Sequence, residues 1–130
     1  MALLMALTFS SCSDPEASSL LTDGKWKFKN LTTTSENPDI INLVNAIKMG
    51  FTDATLEFQG GGTYIQEFLI GDPETGSWEL IGDNLLVLTP DGEPPYEANI
   101  DELSKEKLKF IVTLPDENLN LIPITFTWNH

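Results

Sequence analysis

Among its 130 residues the chain carries 20 Asp and Glu, seven lysines and no arginine, one histidine (His130) and one cysteine (Cys12). These are the groups from which acid, base, nucleophile or metal chemistry would have to be built. A serine nucleophile needs an imidazole base, and the single histidine lies at an end expected to fray, so no Ser-His-Asp triad is expected. One histidine and one cysteine cannot complete a zinc site, and one cysteine cannot close an internal disulfide. Carboxylates are plentiful, and Glu57, Glu67, Glu79, Asp72 and Asp83 could in principle meet as a glycosidase pair. Glu57 and Glu79, however, alternate with bulky apolar residues, which puts them on an outward, solvated strand face. Asp72 with Glu74, and Asp91 with Glu93, lack the spaced D-x-D-x-D-G pattern of a calcium loop and sit where turns are acidic anyway. Gly60-Gly61-Gly62 is followed by neither a lysine nor a helix, so it predicts a hairpin rather than a phosphate loop. Asn30-Leu31-Thr32 fits a glycosylation acceptor only by its letters. The expectation is a protein that is not an enzyme, with no catalytic residue, no metal and no cofactor. A net charge of −13 without a guanidinium fork also argues against nucleic acid as a partner.

The one cysteine has a more specific context. Ala2 to Phe9 is an apolar run, Ser10 and Ser11 are small, and beyond Cys12 the chain turns polar and acidic in Ser13-Asp14-Pro15-Glu16. This order resembles a bacterial lipoprotein signal, whose lipobox places small residues before a cysteine that becomes the lipidated first residue of the mature chain. Phe9 stands where the lipobox usually has leucine, and no Lys or Arg precedes the apolar run, as a start at an internal methionine would give. The resemblance implies residues 1–11 as signal peptide and a membrane anchor through a lipid on Cys12. Residues 12–19 then read as an acidic tether, similar in a thin way to the surface-export signal of Bacteroidota lipoproteins. The implied address is the bacterial envelope, on the outer membrane, facing the periplasm or the surface. No apolar run reaches the roughly 18 residues of a membrane-spanning helix.

The elements that must position everything else lie in residues 20–130, a length that one domain with a single core accommodates. Gly24 to Leu31 alternates with period two, Trp26 and Phe28 on one face and Lys25, Lys27 and Lys29 on the solvated other. Asn37 suits a helix cap and Pro38 the first helical position. With Asp39 near the positive end and Ile40, Leu43, Val44, Ile47 and Phe51 at helical spacing, a helix is expected over Pro38 to Met49, packed on the sheet and placed to close one mouth. Strands follow at Ala54 to Gln59, Thr63 to Ile70, Ser77 to Ile81, Leu85 to Thr89 and Tyr96 to Ile100, then two more carrying Leu108 to Leu114 and Ile122 to Trp128. Gly71 to Gly76, Gly82 to Asn84 and Pro90 to Pro95 read as turns. Eight short strands separated by turn signals predict an all-β fold with one short helix inserted after the first strand, either a sandwich or an eight-stranded up-and-down antiparallel barrel.

Gly24-Lys25-Trp26 is similar to the lipocalin signature at the start of a first strand. The succession of Leu56-Glu57-Phe58 with Gly62-Thr63-Tyr64, Gly76-Ser77-Trp78-Glu79-Leu80 with Gly82-Asp83-Asn84-Leu85, and Leu103-Ser104 with Leu108 resembles the lipocalin-like domains of small Bacteroidota lipoproteins. The resemblance covers roughly Leu20 to Asn129 and implies the barrel rather than the sandwich, an eight-stranded up-and-down antiparallel barrel that binds a ligand. Two functions stay open at this point. A small apolar molecule could sit among Trp26, Phe28, Tyr64, Phe68, Trp78, Phe110 and Phe126. Alternatively those aromatics fill the interior, and the domain is a non-catalytic structural or interaction module of the envelope.

Overall fold

A computed structural model describes residues 15–115 and 121–130. The signal segment 1–11, Cys12 and the first part of the tether lie outside the described residues. Helix α1 (Pro15–Leu21) is followed by β1 (Lys25–Thr33), α2 (Pro38–Gly50), β2 (Thr55–Phe58), β3 (Thr63–Glu67) and β4 (Glu74–Ile81). The chain continues through β5 (Leu85–Pro90), β6 (Tyr96–Leu103), β7 (Lys107–Pro115) and β8 (Leu121–Asn129). Every strand pairs antiparallel with its sequence neighbour, and β8 returns to β1, so the sheet closes into the expected eight-stranded up-and-down barrel. Closure leaves no unpaired edge.

Period-two alternation supplies the interior. Leu80, Leu86, Leu88, Ala98, Leu108, Phe110 and Trp128 are all buried, and cross-strand pairs such as Leu80 with Leu86 and Leu108 with Trp128 join them. In β1 the alternation slips. A register shift between Phe28 and Asn30 brings Leu31 opposite Phe126, so Leu31 turns inward although it has the same parity as the outward lysines.

The two ends of the barrel differ. At one end, called the base, α1 lies across the opening with Ala17 and Leu21 buried, and the Leu21 carbonyl accepts a 3.0 Å hydrogen bond from Trp26 Nε1. Pro15 to Ser19 is thus helical rather than part of a solvated tether. Seven residues are too few to hold a helix alone, and what fixes it is the burial of Leu21 over the base. The imidazole of His130 covers Trp26 from the other side, its ring stacked with centroids 3.8 Å apart. His130 is not frayed: its Nδ1 lies 3.0 Å from the accepting Lys25 carbonyl, and its backbone N–H donates to Glu106.

At the other end, the mouth, α2 crosses from β1 to β2. Asn37 caps it as expected, with its side-chain oxygen accepting from the Asp39 N–H at 2.9 Å. The helix ends where the Phe51 N–H donates to Ile47 and Lys48. Val44 is buried against Leu31, Ile122 and Ile124, with Ile40 and Ile47 beside it, whereas Leu43 faces solvent. No described helix is long and apolar enough to cross a membrane.

Candidate functional site

A cavity of about 320 Å³ opens in the mouth. One wall comes from the end of α2, through Ile47 and Phe51. The opposite wall is β7 and β8, through Phe110, Val112, Ile124 and Phe126, with Leu114 at the rim. Three polar side chains complete the lining: Gln66 on β3, Glu74 on β4 and Tyr96 on β6. Its size falls at the low end of the roughly 300–1,000 Å³ range of ligand sites, and its walls are mostly apolar with a few polar groups, as such sites are. A depression of about 450 Å³ beside it involves the outward residues Glu97, Asn99 and Thr113, and so belongs to the rim and solvated outer face of β5 to β7.

The aromatic floor of the cavity is continuous with the core. Phe51 meets Phe28, Phe68 and Phe126 at ring-centroid distances of 5.3 to 5.5 Å, and Phe110 stacks on Phe126 at 5.4 Å. Below this layer the barrel is filled, with Trp26, Trp128, Leu86 and Leu108 wholly buried. Of the seven aromatics expected around a ligand, Phe110 and Phe126 line the cavity. Phe28 and Phe68 stand behind Phe51. Tyr64 is buried beside Phe58, and Trp26 belongs to the base. Trp78 lies toward the base as well, edge-on to Phe58 and donating from Nε1 to the Gln59 carbonyl at 2.9 Å.

Glu74 is the one charged residue in the lining among the described residues. The sequence places it in a turn running to Gly76, but β4 already begins at Glu74, opposite Gln66, and β3 stops at Glu67. Leu69 and Ile70, expected within β3, are exposed on the connecting loop. Gly76 is an interior strand residue for a steric reason. A Cβ there would collide with the Thr89 carbonyl oxygen and come within 2.8 Å of the Tyr64 ring, so the missing side chain gives Tyr64 its place. Tyr64 in turn donates its hydroxyl to Glu74 Oε2 at 3.0 Å. Burial, followed by the negative charge of Glu74, pushes the Tyr64 phenol far above its ordinary range. The Tyr96 phenol is pushed up to about 12, first by burial and then by the charges of Glu74 and Glu93. The signal that would have found Glu74 is the alternation Trp78, Leu80 extended backwards through Gly76.

The remaining carboxylates do not converge. Asp72, Glu79 and Asp83 are exposed, Glu57 lies on the outward face of β2, and Glu67 pairs with Lys25 at 3.2 Å across the outer surface. Among the described residues no three His, Cys, Asp or Glu side chains come together. The class the structure defines is therefore a closed eight-stranded antiparallel barrel with a filled base and an apolar cavity in its mouth. No protein-family model matches the chain, and no curated protein is significantly similar to it.

Proposed function

We propose that this chain is a lipid-anchored, lipocalin-like envelope protein that holds one small, mostly apolar molecule in the mouth of its barrel. The observation that carries the reading is the apolar cavity of about 320 Å³ between α2 and strands β7 and β8. Burying apolar ligand surface there gains about 25 cal/mol per Å² before the costs of binding are subtracted. The test is titration with a neutral apolar fluorophore. Saturable binding by the parent that falls at least tenfold in Ile47→Trp, which fills the cavity from the half-exposed side of α2, supports the reading. An unchanged affinity refutes it.

The anchor is proposed on the sequence around Cys12. A lipid on Cys12 would be within about 10 Å of the start of α1, since three residues reach no further. The base would then face the membrane and the mouth would open away from it. Each buried methylene adds about 0.8 kcal/mol of membrane affinity, and several acyl chains make the attachment stable. Cys12→Ala should move the protein from the membrane fraction to the soluble one, and continued membrane association of the variant counts against the anchor. The second reading, a non-catalytic structural or interaction module of the envelope, is favoured by the solid packing of the base around Trp26 and Trp128. It predicts no saturable binding of any apolar probe.

A further inference from the structure

The polar side of the cavity narrows the chemistry of what it would hold. Among the described residues its walls are apolar except for Gln66, Glu74 and Tyr96, and of these Glu74 alone carries a charge. One oxygen of that carboxylate, Oε2, accepts from the Tyr64 hydroxyl, and Glu74 forms no ion pair with any described residue. The single ion pair among the described residues, Lys25 with Glu67, lies on the outer surface. None of the seven lysines lines the cavity. Two further acids, Asp91 and Glu93, are on the β5–β6 connection next to the mouth; the Tyr64 and Tyr96 phenols are raised first by burial and further by these charges and that of Glu74.

A half-buried carboxylate facing an apolar cavity without a cation is electrostatically incomplete, and a ligand supplying a positive donor would complete it. We propose, as a refinement that rests on the binding function above, that the mouth takes an amphipathic cation: an apolar, preferably aromatic body against Phe51, Phe110 and Phe126, with a protonated amine on Glu74. The ring faces suit this head group a second time, because a cation near an aromatic face is attracted to its quadrupole. An anionic amphiphile such as a fatty acid meets the opposite situation. It would bring a second carboxylate to Glu74 with no lysine or arginine to receive it.

The experiment uses three probes with one apolar body and three head groups, 2-(1-naphthyl)ethylamine, 2-(1-naphthyl)ethanol and 1-naphthylacetate, titrated calorimetrically at pH 7 into the full chain and into Glu74→Gln. The variant keeps an oxygen to accept from Tyr64. The amine should bind at least tenfold more tightly than the alcohol and the carboxylate most weakly. In Glu74→Gln the amine should lose its preference and come within about twofold of the alcohol. Equal binding of alcohol and amine to the parent, tightest binding of the carboxylate, or an amine preference that survives Glu74→Gln overturns the cation assignment while leaving an apolar ligand site intact. Binding of none of the three overturns the ligand function as well. Should Glu74→Gln fail to fold by circular dichroism, the ranking on the parent chain alone decides.

Discussion

Trp26 and Trp128 are both completely buried in the lower barrel, yet they should respond differently to the same substitution. Replacing either by phenylalanine removes the same atoms, so the losses of buried area and packing are similar and largely cancel in a comparison. What remains is the indole N–H. In Trp26 it donates to the Leu21 carbonyl at 3.0 Å and ties α1 to the base. Trp26→Phe therefore strands a buried acceptor, a loss of about 1–3 kcal/mol. In Trp128 the Nε1 atom is buried without a hydrogen-bond partner among the described residues, and the ring packs edge-to-face with Phe28 at a centroid distance of 5.5 Å. Trp128→Phe removes an unsatisfied donor and so recovers about 1–3 kcal/mol against the packing loss. Trp26→Phe should be the more destabilising by about 2–6 kcal/mol, the sum of the two effects, a separation on the order of 10 °C or more in Tm for a domain of this size. Urea unfolding monitored by far-UV circular dichroism measures both variants on one scale. Equal destabilisation, or a larger loss for Trp128→Phe, would show that the Trp128 N–H is satisfied in solution and that the reasoning fails.

Two further predictions concern the mouth. The Tyr96 phenol is neutral to a higher pH in the folded than in the unfolded chain, about 12 against an ordinary 10. Its stabilisation is thus complete below pH 10 and is lost as pH rises towards 12, by about 2–3 kcal/mol at most, with Tyr64 acting in the same direction. Tyr96→Phe should flatten the alkaline fall in unfolding free energy, and an identical slope in parent and variant contradicts the assignment. Gly76→Ala drives a Cβ into the Thr89 carbonyl and the Tyr64 ring. It should destabilise by about 1–3 kcal/mol and weaken binding in the mouth by displacing Tyr64 from Glu74. Stability within about 0.5 kcal/mol of the parent would mean that β4 and β5 separate there at little expense.

Much of the framework was legible because it is written locally. Trp26 and Phe28 against three lysines, Ser77 to Ile81, and Leu108 to Leu114 each carry a period of two, and Gly82 and Gly92, both with positive φ, punctuate the chain between strands. The cap at Asn37 and the proline after it located α2 to within a residue. The cavity was less legible. Phe110 and Phe126 were expected in it, but an aromatic at an inward position has the same sequence signature whether it fills a core or lines a void, as Trp26 and Phe126 demonstrate. Glu74 was hidden among glycine, proline and acid residues that ordinarily make a turn. Its inward direction depends on Gly76 being a strand residue, which only the proximity of Thr89 and Tyr64 explains.

Composition and alternation by themselves determined that this is an acidic all-β protein with one inserted helix, a sandwich or a barrel, and they mark Cys12 as its one distinctive reactive group. These properties are sums over residues or patterns between near neighbours. Tertiary structure decided which end is closed, since Leu21, Trp26 and His130 meet only when the two ends of the barrel sequence come together. It also decided that a void remains where α2 bridges the mouth, and that among the described residues a single carboxylate faces it without a cation. Those facts depend on contacts between residues far apart in the chain, which pairing register and packing set and no local pattern encodes.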